Sequence, residues 1–150
     1  MIYLADSDWH RRAVRLLTVL LAAAIAVSVI HYVDNYVNYA DFPSDGPLPD
    51  PSRALVGASW FAFTAAGVVG YILFRRGPST LALSLLAVYS GSGLVGFGHY
   101  TVPGAFDMPA LRQAHVIADI LLGLGMFGFV IWAARHRTLS AARAPTPQSG

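Results

Sequence analysis

The sequence predicts an all-α membrane protein, four transmembrane helices in an up-down-up-down bundle with both termini cytoplasmic. Three observations carry this. Four apolar runs each reach the roughly 20 residues that cross a ~30 Å hydrocarbon core. Breaks containing proline and glycine separate them. Arginines flank the runs unevenly, which is how membrane proteins fix their orientation. With 55% hydrophobic and 12% charged residues, the chain departs far from soluble domains, about 25% charged. Its length suits one domain.

Residues 1–12 read as a short polar head ending in His10-Arg11-Arg12. The first helix is expected over about 13–37. Its uncharged run, Leu16 to Ile30, also has the basic start and small residues of a signal peptide. The helical pattern continues through Val33 and Val37, however, so the segment is expected to be retained. Asn38 to Arg53 holds Pro43, Pro47, Pro49 and Pro51, through which no helix continues. Tyr32, Tyr36, Tyr39 and Phe42 suit the headgroup zone.

The second helix is expected over about 52–74, stopping at Arg75-Arg76-Gly77-Pro78. Trp60, Thr64, Gly67 and Tyr71 form one stripe that can pack inward, with Gly67 allowing close approach. The third helix is expected over about 79–100. Its Gly91-x-Gly93-x-x-Gly96 string matches a dinucleotide fingerprint but follows no strand, so it reads as helix packing. The fourth helix is expected over about 110–135, closing on Arg135-His136-Arg137, and 138–150 reads as a disordered cytoplasmic tail.

Four spans place Arg11, Arg12, Arg15, Arg75, Arg76, Arg135, Arg137 and Arg143 on one side, and only Arg53 and Arg112 on the other. By the positive-inside rule the first side is cytoplasmic, in the plasma membrane. The pI near 9.2 does not point to nucleic acid, because the arginines are split among helix flanks. The absence of cysteine removes disulfides, iron–sulfur clusters and thiolate zinc sites. The absence of glutamate removes the usual bridging ligand of di-iron bundles.

The chemistry-bearing residues gather at the other end. His31 lies ~24 Å along its helix from Arg15, and Asp119 ~24 Å from Arg135. His115 lies ~30 Å from Arg135, and His99 ~30 Å from Ser79. Three helices therefore bring a histidine to a similar height. His31 with Asp34 and Asn35, and His115 with Asp119, have the i+3 or i+4 spacing that shares a face. Imidazole and carboxylate suit zinc, and also iron or copper. The expected ligands are His31, His99, His115 and Asp119, with Asp34, Asn35, Tyr100 and Ser59 in support.

A zinc-type site at the outer leaflet would suit hydrolysis of a lipid or small-molecule ester or amide, or redox chemistry. In residue types it is similar to the large transmembrane zinc hydrolases that act on ceramide-like lipids. The helix count differs, and His115-x-x-x-Asp119 stands where a His-x-x-x-His pair would be expected. One alternative is b-type haem with two of the three histidines as axial ligands. The other is a non-enzymatic accessory or scaffold subunit whose polar cluster fixes helix register.

Overall fold

The computed structural model describes residues 2–43 and 50–142, with the side chains of 7–43, 50–140 and 142. Its main elements are α1 (Ile2–Val37), α2 (Arg53–Arg76), α3 (Thr80–Leu94) and α4 (Ala110–Ala142). A 3-10 segment, Val95–Thr101, prolongs α3, and short 3-10 turns cover Tyr39–Asp41 and Ala105–Asp107. Among the described residues, four helices, counting α3 with its extension, are long and apolar enough to cross a membrane.

Local chemistry explains most boundaries. Ser52 caps α2 by accepting from the Leu55 N–H at 3.2 Å, and Ser79 caps α3 by accepting from Ala82 at 3.1 Å. Arg75 and Arg76 close α2 where the helix dipole favours cations. The α3 geometry tightens to 3-10 at Val95, inside a run holding Gly91, Gly93, Gly96 and Gly98. Glycine holds α-helix poorly, so the last turn is free to wind differently.

Three boundaries differ from expectation. The first twelve residues are not a non-helical head, since α1 begins at Ile2. The last helix runs on to Ala142, so 138–142 is helical rather than disordered. Nothing in either flank breaks a helix. The third helix is α only to Leu94. The remainder of the expected tail, 143–150 with Arg143, and loop residues 44–49 with Asp45 lie outside the described residues.

The helices form a ring of neighbours, α1 to α2 to α3 to α4 and back to α1, with little contact across the α1–α3 diagonal. Leu17, Phe74, Leu86 and Met126 fill the centre, all fully buried. The outer surface stays apolar: Val19 is 70% exposed, Phe61 69% and Leu121 61%. A soluble monomer rarely carries apolar surface on this scale, whereas lipid tails accept it.

Small residues set the close approaches. The α2 stripe does face its neighbours. Trp60 Nε1–H donates to Ser28 Oγ at 3.1 Å, Tyr71 Oη lies 2.8 Å from Thr18 Oγ1, and the Tyr89 ring covers Gly67. Between α3 and α4 the crossing point is Gly93 against Gly123. A Cβ at Gly93 would overlap the Asp119 carbonyl and lie 3.1 Å from Gly123 Cα. Backbone cannot yield as a flexible side chain does. Gly93→Ala is therefore expected to cost about 1–3 kcal/mol by forcing the helices apart, and reversible unfolding in detergent measures it.

Candidate functional site at the histidine end

Three elements deliver the polar residues. The last turns of α1 carry His31, Asp34 and Asn35, the first turns of α4 carry Arg112, His115 and Asp119, and the 3-10 extension of α3 carries His99. The three imidazoles do come together. The His31 ring centroid lies 5.4 Å from that of His99 and 5.6 Å from that of His115.

The carboxylates pair differently from the sequence expectation. Asp34 does not serve His31, nor Asp119 His115, although each pair shares a helix at the right spacing. The partners are exchanged between helices. His31 Nδ1 lies 2.7 Å from Asp119 Oδ2, with both side chains under 5% exposed. His115 Nε2 lies 3.1 Å from Asp34 Oδ2. The reason is direction. Residues on the contacting faces of α1 and α4 project toward the neighbouring helix, so the nearest partner is across the interface. One turn onward along α1 then meets one turn back along α4.

Asp34 is further held by Arg112, whose Nε donates to Oδ2 at 2.8 Å and Nη2 to Oδ1 at 3.3 Å. Such two-pronged Arg–carboxylate pairing is among the stronger ionic contacts. Arg112 Nη1 also donates to the Asp41 carbonyl at 3.1 Å, and its guanidinium lies over the Phe42 ring at 4.4 Å. Asn38 Nδ2 donates to Asp34 Oδ1 at 2.6 Å. In the sequence Arg112 reads as a flanking charge, yet it lies one turn from His115, at an end otherwise rich in Asp.

His31 and His99 meet edge to edge, their Nε2 atoms 3.3 Å apart. Asn35 Nδ2 donates to His99 Nε2 at 3.1 Å. Two nitrogen lone pairs at that separation repel, a tension that a proton or another cation taken up between them would relieve. Both rings, with Asn35, line a cavity of about 620 Å³ between α1, α2 and the end of α3. Tyr32, Ser59 and Ser92 add hydroxyls to its wall, and Leu55, Val56 and Phe63 make it apolar farther out. That volume suits a small molecule with a polar head and an apolar body.

The other expected supports contribute less. Ser59 Oγ donates to the Val56 carbonyl of its own helix at 2.8 Å. Tyr100 Oη is buried without a partner, and its ring packs beside Phe106 rather than joining the histidines.

Nor does the expected four-ligand cage of His31, His99, His115 and Asp119 form. Among the described residues, no group of three or more histidine or acidic side chains is arranged to hold a metal ion. Both carboxylates are engaged by imidazole or guanidinium. His115 is turned so that its Nε2 faces Asp34, leaving Nδ1 buried and unpartnered.

Comparison with known proteins returns no match, whether to family models, curated proteins or solved structures. The functional reading therefore rests on the site.

Proposed function

We propose that the chain is an integral protein of the cell membrane, its helices running up-down-up-down with both termini cytoplasmic. On this reading, its outer end forms a proton-exchanging pocket for the polar head of a small amphiphile. The arginine asymmetry supports the orientation. Exposed apolar side chains around the ring support burial in lipid.

A single observation carries the pocket reading: the line Asp119–His31–His99 ends at the cavity. A carboxylate on Nδ1 fixes the ring and its tautomer and stabilises the imidazolium formed when Nε2 takes a proton. His31 is then the proton acceptor, Asp119 the group that positions it, and His99 and Asn35 the polar contacts for the ligand. The reaction class is general-base activation of water against an ester or amide at the outer leaflet. General-base assistance contributes about 10²–10⁴-fold in rate.

The test uses the full chain in lipid vesicles with a short-chain p-nitrophenyl acyl ester. Turnover is expected, falling by about 10²-fold or more in His31→Gln. A correctly folded wild-type protein without turnover would contradict the hydrolytic reading and favour the polar cluster as a device that fixes helix register.

A second reading has one specific support. Two nitrogens on a tetrahedral zinc, each bonded at about 2.0–2.1 Å, stand about 3.3–3.4 Å apart. His31 and His99 have that separation, and Asp119 stands behind His31 as carboxylates stand behind metal-bound histidines. The fit is to one edge of a site, since no third donor joins it among the described residues. Zinc held there, or iron or copper on the same nitrogens, would supply a bound water of lowered pKa. Haem fits this pair poorly, because two trans nitrogens on one metal need about 4 Å. Elemental analysis of detergent-purified protein decides: stoichiometric metal that disappears in His99→Ala supports this reading, and metal-free active protein rejects it.

A further inference from the structure

At the opposite end a second cavity, of about 650 Å³, lies where the start of α1, the end of α2, the start of α3 and the end of α4 meet. Its chemistry is cationic and aromatic. Arg76, His136 and Arg137 line it, with Trp9, His10 and Thr80. Neither Arg76 nor Arg137 has a carboxylate partner among the described residues. The ion pair at this end joins Arg11 to Asp8. Arg137 instead donates through Nη1 and Nη2 to Thr80 Oγ1, both at 3.2 Å, which holds its guanidinium against the first turn of α3.

That first turn matters, because α3 spans 15 residues and, although Ser79 caps its Ala82 N–H, its N-terminus is the positive end of its dipole. The aromatic side is equally built. Trp9 stacks on His136, with ring centroids 3.8 Å apart and planes at 7°. Trp9 Nε1–H is buried without a hydrogen-bond partner, whereas His10 Nε2 donates to the Arg75 carbonyl at 3.3 Å, which leaves its Nδ1 an acceptor. Buried donors ordinarily find an acceptor, and those that do not call for an explanation. Two guanidiniums with no carboxylate partner among the described residues, a helix N-terminus and an unsatisfied indole N–H around one cavity share a single deficit, an anion rich in acceptor oxygens.

We propose that this cavity binds a phosphate-bearing anion, as carried by the headgroup of an anionic phospholipid or by free phosphate. Its depth at the arginine-rich membrane edge matches the basic interhelical pockets that take lipid headgroups. Arg137, already oriented by Thr80, makes the planar two-pronged contact. Arg76 contributes charge from the open side. The stacked Trp9–His136 pair forms the wall. This inference does not depend on the chemistry of the histidine end.

The experiment has two arms on the full chain. In the first, protein is released from phosphatidylcholine vesicles with and without phosphatidylglycerol, and retained lipid is counted by native mass spectrometry. In the second, inorganic phosphate is titrated calorimetrically into detergent-solubilised protein. One retained phosphatidylglycerol per chain is expected. Its retention should fall about fivefold in Arg76→Gln and about 30-fold in the Arg76→Gln/Arg137→Gln double variant. Arg12→Gln, an exposed arginine of the same end outside the cavity, should retain the lipid. Arg76 is exposed and unpaired, so its variant reports binding rather than unfolding. Phosphate binding with the same variant pattern, without lipid retention, would support the site with free phosphate as its ligand. Binding in neither arm, or equal loss in Arg12→Gln, would overturn it.

Discussion

Arg112→Ala is expected to destabilise the bundle by about 3 kcal/mol, the largest stability effect of any single substitution at the histidine end. The side chain is only 11% exposed and ties α4 to α1 through Asp34 and to the following turn through the Asp41 carbonyl and the Phe42 ring. Removing it leaves the Asp34 carboxylate, itself 20% exposed, with Asn38 and His115 as its remaining partners. An uncompensated charge at the membrane edge is costly. Arg112→Lys restores the charge but not the two-pronged geometry, so it should recover less than half of the loss. Adding Asp34→Asn to Arg112→Ala should recover part of it by removing the stranded charge. Reversible unfolding in mixed micelles measures all three.

On the hydrolytic reading proposed above, Asp119→Asn is expected to have the largest effect on turnover. Asparagine keeps the shape and can still accept from His31 Nδ1, so the fold should persist. It cannot stabilise an imidazolium, and turnover should fall by about 10²–10⁴-fold. Asp34→Asn should behave in the opposite way. It weakens Arg112 and His115, which lie away from the cavity lining, so stability should fall more than turnover. Comparing the two substitutions for rate and for unfolding free energy tests whether Asp119 serves the proposed chemistry while Asp34 serves the scaffold. A reversed ranking would return Asp34 to the role expected from its i+3 spacing to His31.

Much of this arrangement is legible in the sequence. Apolar length defines the four helices, since a span needs about 20 apolar residues, and the flanking arginines mark where they end. Counting rise per residue places His31, His99 and His115 at one end, and the structure brings their rings together. The pairing is not legible. Spacing on one helix says that His31 and Asp34 share a face, but not whether they turn to each other or both to the neighbouring helix. Packing across α1 and α4 decides in favour of the neighbour.

The expected four-donor cage is not assembled among the described residues, for a related reason. Residue types identify possible donors, whereas a cage depends on where each lone pair points, and here the carboxylates are occupied by His31, His115 and Arg112. The importance of Arg112 was hidden because a lone arginine beside an apolar run reads as an orientation signal. The 3-10 winding before His99 was hidden because the glycine string reads equally as close packing, a role Gly93 fills. The start of α1 and the end of α4 run past the apolar stretches to Ile2 and Ala142, because polar residues without proline or glycine extend a helix as readily as they end it.

A double-mutant cycle at the α1–α4 interface tests the exchanged pairing most directly. Single and double substitutions of His31 with Asp119, and of His31 with Asp34, are compared for unfolding free energy in the same detergent. The His31–Asp119 cycle should give a coupling of about 1 kcal/mol or more, and the His31–Asp34 cycle a value within about 0.5 kcal/mol of zero. Strong coupling between His31 and Asp34, with none to Asp119, would contradict the exchange of carboxylates between the helices.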